Sequence, residues 1–189
     1  MGSAPSGNSV APAPASRRQC SPATFALAWG LAARSPHTIV YLPLRHREPP
    51  VDHAWGRPLD MVLLHHRLAF PPSRWKQVRS RLGAGRPHTV VLSDRAWPSR
   101  SIGDYRKARH HGFRDHLRWD VAADTLVLTG SREAFELEAD QVRALAEECP
   151  AHRAPETHCC AEIGMGVNRC PPHQRRPYAT LHAEYSSTA

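Results

Sequence analysis

Histidine, arginine and cysteine are the residues of this chain whose spacing could carry chemistry, and they gather in two stretches. The first is RKARHHGFRDHLRWD, residues 106–120, with four arginines, one lysine, three histidines and two aspartates. If this stretch is helical, His111 and Asp115 stand at i and i+4, as do His116 and Asp120, so each carboxylate can meet an imidazole on one face. Such a carboxylate orients the ring and raises its pKa, which suits general-base work or support of a metal ligand. His111, Asp115 and His116 are the catalytic candidates, with no nucleophile motif beside them. The same helix carries Arg106, Lys107, Arg109, Arg114 and Arg118, whose cations can meet phosphates and base edges. The plainer alternative is an amphipathic helix whose charges face water.

The second stretch is HCCAEIGMGVNRCPPH, residues 158–173. His158, Cys159, Cys160, Cys170 and His173 are its possible zinc ligands, because thiolate and imidazole together suit a tetrahedral ion. Cys170 and His173 have a usable gap, but the adjacent Cys159 and Cys160 depart from the usual spacing of two to four residues. GMG at residues 164–166 is too short for a phosphate loop, and neither a Walker nor a Rossmann glycine pattern occurs. His65 and His66 would point to opposite faces of a strand, so at most one of them joins any site. His110, His111 and Asp115 follow most of the HHxxxDG signature of condensation-type acyltransferases. His116 stands where that signature has glycine, and the chain is too short for that two-lobed fold.

Composition limits what can position these groups. The chain has 189 residues, enough for one domain with tails. Hydrophobic content is 41%, with 18 prolines; a globular chain has about 45–50% apolar residues and about 5% proline. A real core flanked by unstructured polypeptide is expected. Only Lys76 and Lys107 are lysine, and a GC-rich coding sequence alone accounts for arginine in their place. The net charge of +8 hides a division. Residues 34–118 hold 17 basic and 6 acidic groups, whereas residues 121–149 hold 2 basic and 7 acidic ones. The halves can bind a polyanion or partly neutralise each other.

Five cysteines are an odd number without the regular spacing of a secreted disulfide scaffold, so reduced thiols in the cytoplasm are expected. Export is the alternative, because Arg17-Arg18 precedes an apolar run at residues 23–33 that resembles a short signal segment. Met1-Gly2 with Ser6 fits the loose N-myristoylation pattern. No run approaches the ~18 apolar residues of a transmembrane segment.

Residues 1–35 read as a tail leading into a short helix, and residues 151–189 as a loose tail containing Pro, Cys and His. Between them, residues 36–150 form a single small α+β domain. Strands are expected at 38–42, 60–70 and 88–92, and helices at 73–82 and 104–119. The run DTLVLTGSREAFELE predicts a β-hairpin turning at Gly130-Ser131, because Phe135 and Leu137 alternate with Glu136 and Glu138. A helix at 139–149 completes a C-terminal β-hairpin–helix unit.

The order helix, strand, helix, strand, strand from residue 73 to 138 resembles a winged-helix module, with 104–119 as its recognition helix. Pro98 obstructs the module's second helix, and the turn is tight for a wing. The leading expectation is a small basic regulatory or accessory protein that binds nucleic acid through the Arg-rich helix. A protein-interaction module, or a homo-oligomer using the acidic residues 133–148, is the second reading. A metal-dependent enzyme using a His or Cys/His cluster, with zinc, is the third.

Overall fold

The computed structural model describes residues 21–45, 59–86, 89–91, 97–108, 110, 112–148, 159–166 and 179–185. The fold grows from two apolar runs, β2 (Asp60–His65) and β4 (Thr125–Gly130), which pair in parallel from Asp60 opposite Thr125 to His65 opposite Gly130. A parallel pair covered on both faces needs apolar residues at consecutive positions, which DMVLLH and TLVLTG supply. β1 (Ile39–Leu42) pairs antiparallel with β2, and β3 (Arg118–Ala122) pairs antiparallel with β4. The sheet order is therefore β1-β2-β4-β3.

Alternation divides these strands between two cores. Val40, Leu42, Met61, Leu63, Leu126 and Leu128 face a layer of α1 (Pro22–Arg34), α4 (Arg132–Leu137) and α5 (Ala139–Glu148). Val62, Leu64 and Val127 face Trp75 of the short α2 (Trp75–Arg79) on the other side. Trp29 of α1 is fully buried; its indole N–H donates to the Phe135 carbonyl at 2.8 Å, and the two rings meet edge to face at 5.1 Å. Across the sheet, the Trp75 indole N–H donates to Thr125 Oγ1 at 2.8 Å. Each tryptophan thus ties a helix to the sheet by burial plus one satisfied polar atom.

The α+β architecture is as expected, but several elements differ from the sequence reading. Residues 132–137 are helix α4, not the second strand of a hairpin. Ser131 caps it by accepting the Ala134 N–H at 3.0 Å, and Ala134, Phe135 and Leu137 bury beneath α1. The period-2 pattern in EAFELE was equally compatible with one buried helical stripe. The hairpin exists one strand earlier, between β3 and β4, where Ala123 and Asp124 take φ of 50° and 57°. Two consecutive positive φ values match the twist of tightly joined strands.

The expected helix at 104–119 is short as well. α3 spans Ile102–Ala108; at its start Ser101 Oγ accepts the Asp104 N–H at 3.2 Å while the Asp104 carboxylate accepts the Ser101 N–H at 3.0 Å. This reciprocal cap places the helix start earlier than Asp104 itself. Residues 112–117 then form a link in which Leu117 is buried, and residues from 118 onward gain the β4 ladder instead of continuing a helix through Gly112. The expected helix at 73–82 is a 3-10 turn, Pro72–Arg74, followed by α2. Residues 89–91 form no strand, and positions 88 and 92 lie outside the described residues. The winged-helix order is therefore not formed.

Both supposed tails contribute to the core. The short helix expected before residue 36 forms as α1, but it lies inside the domain, with Trp29 and Ala32 fully buried. Within residues 151–189, β5 (Cys159–Met165) and β6 (Ala179–Tyr185) make an antiparallel pair that packs against α5 and buries Ala161 and Ile163. The Gly166 N–H donates to the Leu117 carbonyl at 2.7 Å, docking this pair on the 112–117 link. Among the described residues no helix is long and apolar enough to cross a membrane.

Candidate functional site: a basic surface and a cavity beside it

The arginines separate into two groups by partner. Asp60, fully buried at the start of β2, accepts from Arg45 Nε at 3.0 Å, the Arg45 backbone N–H at 3.1 Å and the Tyr41 hydroxyl at 2.9 Å, with Arg79 Nη1 at 3.5 Å. Burial alone would raise its pKa, but the Arg45 N–H, the Tyr41 hydroxyl and the Arg45 guanidinium together hold it below the usual carboxylate range. Glu136 of α4 gathers Arg34 at 3.4 Å, Arg100 at 3.4 Å and Arg132 at 2.6 Å. These arginines belong to the fold.

The sequence-predicted binding arginines are not among them. Arg106 and Lys107 are exposed on α3, Arg114 is exposed in the link, and Arg118 is exposed at the start of edge strand β3. No ion pair among the described residues uses any of the four. Arg109 lies outside the described residues. Arg67, Arg74, Lys76, Arg81 and Arg86 are likewise exposed and form no ion pair among the described residues. The Pro72–Arg74 turn packs against β3, so the basic segment around α2 adjoins the strand that begins with Arg118. The sequence placed these cations on one helix; the structure distributes them over a helix, a link and a strand.

The predicted catalytic group is not assembled. His111 lies outside the described residues, and Asp115 is in the link, where its Oδ2 accepts the Ser131 hydroxyl at 2.6 Å. Asp115 therefore supports the cap of α4. His116 and Asp120 occupy a link and a strand, so the helical i, i+4 geometry is absent. His116 instead enters an unpredicted group. Its ring meets Phe113 edge to face at 4.8 Å, and burial pushes its pKa down against the opposing charge of Asp115.

His116, Tyr105 and Glu138 line a cavity of about 570 Å³, walled by α3, the α4–α5 junction and the β5–β6 pair. Glu138 accepts the Gly164 N–H at 2.9 Å, yet burial pushes its pKa up. Tyr105 donates to Asp140 at 2.6 Å, and burial followed by that bond raises its pKa to about 12. An imidazole and a carboxyl that line one cavity can exchange a proton with a polar ligand. Charge alternation had assigned Glu138 to a wet strand face, and no local pattern marked Tyr105.

His65 and His66 also depart from expectation. His66 leaves the strand for a 3-10 turn, Leu68 at its end, and the two rings lie 4.8 Å apart. His65 Nδ1 accepts the Arg67 N–H at 3.2 Å, which assigns its proton to Nε2. Burial, followed by the charges of His66 and Arg67, lowers its pKa.

Of the expected zinc ligands, His158, Cys170 and His173 lie outside the described residues, as does the side chain of Cys159. Cys160 is an exposed free thiol. It stands with Glu162 and His182, neither of which belonged to the sequence set. Strand alternation in CCAEI would have joined Cys160 to Glu162, but His182 enters only through pairing with β6. Comparison with protein-family models, with curated proteins and with solved structures finds no match to this chain.

Proposed function

We propose that the protein is a small basic accessory or regulatory factor that binds nucleic acid, acting in the cytoplasm with its thiols reduced. The supporting observation is the division among the arginines. Asp60 and Glu136 engage the arginines that hold the fold together, while Arg106, Lys107, Arg114 and Arg118 stay exposed and outside every described ion pair. Affinity comes mainly from phosphate neutralisation and counterion release, so it falls steeply with salt. The exposed cations around α2 add further positive charge.

Fluorescence anisotropy with labelled duplex and single-stranded probes tests this reading across a salt series. Substituting Arg106, Arg114 and Arg118 together with alanine lowers affinity and flattens the log–log salt slope by roughly 2–3, about 0.9 per phosphate contact in duplex DNA. Failure of both probes to bind at low salt ends the proposal. A homo-oligomer or protein complex would then become the leading assignment.

A second reading rests on the cavity. Its volume lies within the ~300–1,000 Å³ of small-ligand sites, and its titratable lining suits a small polar ligand whose protonation His116 and Glu138 control. This pocket lies between α3 and β5–β6, whereas the polyanion reading uses exposed side chains.

A further inference from the structure

The β5–β6 pair carries a constellation apart from the basic surface, and only its Glu162 reaches the cavity. Its register sets Glu162 opposite His182 and Cys160 opposite Glu184. Residues two apart on a strand, and residues directly paired across strands, share one face. Cys160, Glu162, His182 and Glu184 therefore occupy a single face, on which all four are exposed. The opposite face holds Ala161, Ile163 and Met165 in the core, so the strand pair is anchored from behind.

We propose that Cys160, Glu162 and His182 form a binding site for a soft divalent transition metal, with Zn(II) the ion best matched to its donors. Their ligating atoms already lie within 4.8 Å of one another. Bonds of about 2.0–2.3 Å in a tetrahedron require donors about 3.3–3.8 Å apart. Rotation of exposed side chains on fixed strands supplies that contraction without backbone movement. His182 Nδ1 is hydrogen-bonded to the Glu162 carboxylate, which holds the imidazole and carboxylate together before an ion arrives.

One thiol, one imidazole and one carboxylate favour zinc over magnesium or calcium, which prefer all-oxygen shells. Metal binding removes the Cys160 thiol proton to solvent and replaces any proton shared by His182 and Glu162. The fourth position falls to water or to Glu184. Glu162 also lines the cavity, so the ion would stand at its rim.

Co(II) titration of the reduced full-length protein tests the site, because thiolate coordination produces a near-ultraviolet charge-transfer band. One equivalent should bind with that band and with tetrahedral visible absorption, and Zn(II) should displace it. Cys160→Ala should abolish the charge-transfer band, while His182→Ala and Glu162→Gln should each weaken Co(II) binding by on the order of tenfold or more. Circular dichroism of each variant should match the parent, since all three side chains are exposed. The inference is overturned by a band that survives in Cys160→Ala, by an affinity unchanged in His182→Ala or Glu162→Gln, or by no saturable binding.

Discussion

Glu138 stands where α4 ends and α5 begins, half-buried, with its carboxylate accepting the Gly164 N–H. Its folded pKa is raised, so the native state holds this proton more tightly than the unfolded chain. The resulting contribution to stability is fully present below the unfolded value, about 4.3, and is lost as pH rises through the folded value. Glu138→Gln keeps an acceptor for Gly164 without the charge. Its thermal midpoint, relative to the parent, should therefore rise between about pH 4 and about pH 7. A difference that stays flat across that range would refute the burial assignment and remove support from the cavity reading. Residue type announced a charge here, but not which side of the chain it would face.

At the scale of elements, the junction between β4 and α4 decides how the acidic segment folds. Ser131 caps α4 through Ala134 and donates to Asp115, joining the helix to the link before β3. Ser131→Ala removes both bonds and should cost about 1–2 kcal/mol in urea denaturation. A loss near zero would mean that neither bond holds this junction. Gly130 beside it is closely packed: a Cβ there would lie 2.7 Å from Leu117 Cδ2 and 3.1 Å from Ala134 Cβ, so the buried Leu117 side chain would have to shift. GSREAFELE carries a hairpin pattern and a capped-helix pattern at once. Burial of Phe135 against Trp29, a contact far away in sequence, selects the helix. The 106–120 stretch follows the same logic: β4 offers residues 118–122 a ladder, and α3 stops at Ala108.

For the whole molecule, Trp29 is the point where α1, the sheet and α4 meet. Trp29→Ala leaves a large void and an unpaired Phe135 carbonyl, at a cost of about 3–5 kcal/mol. Near-ultraviolet circular dichroism through a denaturant series measures this, and a loss under about 1 kcal/mol would show that α1 is peripheral. The charge division also acquires its meaning at this scale. Arg34 and Arg100 from the basic half meet Glu136 of the acidic half, while the cations of α3, the link and β3 remain outward. Partial neutralisation and an available basic surface coexist.

The amino-acid sequence by itself determined the α+β class, the buried run of β2, a strand at β4, the helical stripe of α5 and the excess of cations over residues 34–118. These follow from composition and short-range periodicity, which act within a few residues. Only the tertiary structure decided that residues 22–34 belong to the core, that residues 132–137 are helical and that His116 joins Tyr105 and Glu138. It alone brought His182 to Cys160 and Glu162. Each of those outcomes depends on contacts between segments distant in the chain. Burial and strand pairing there outweigh local preferences that differ by about 1 kcal/mol or less.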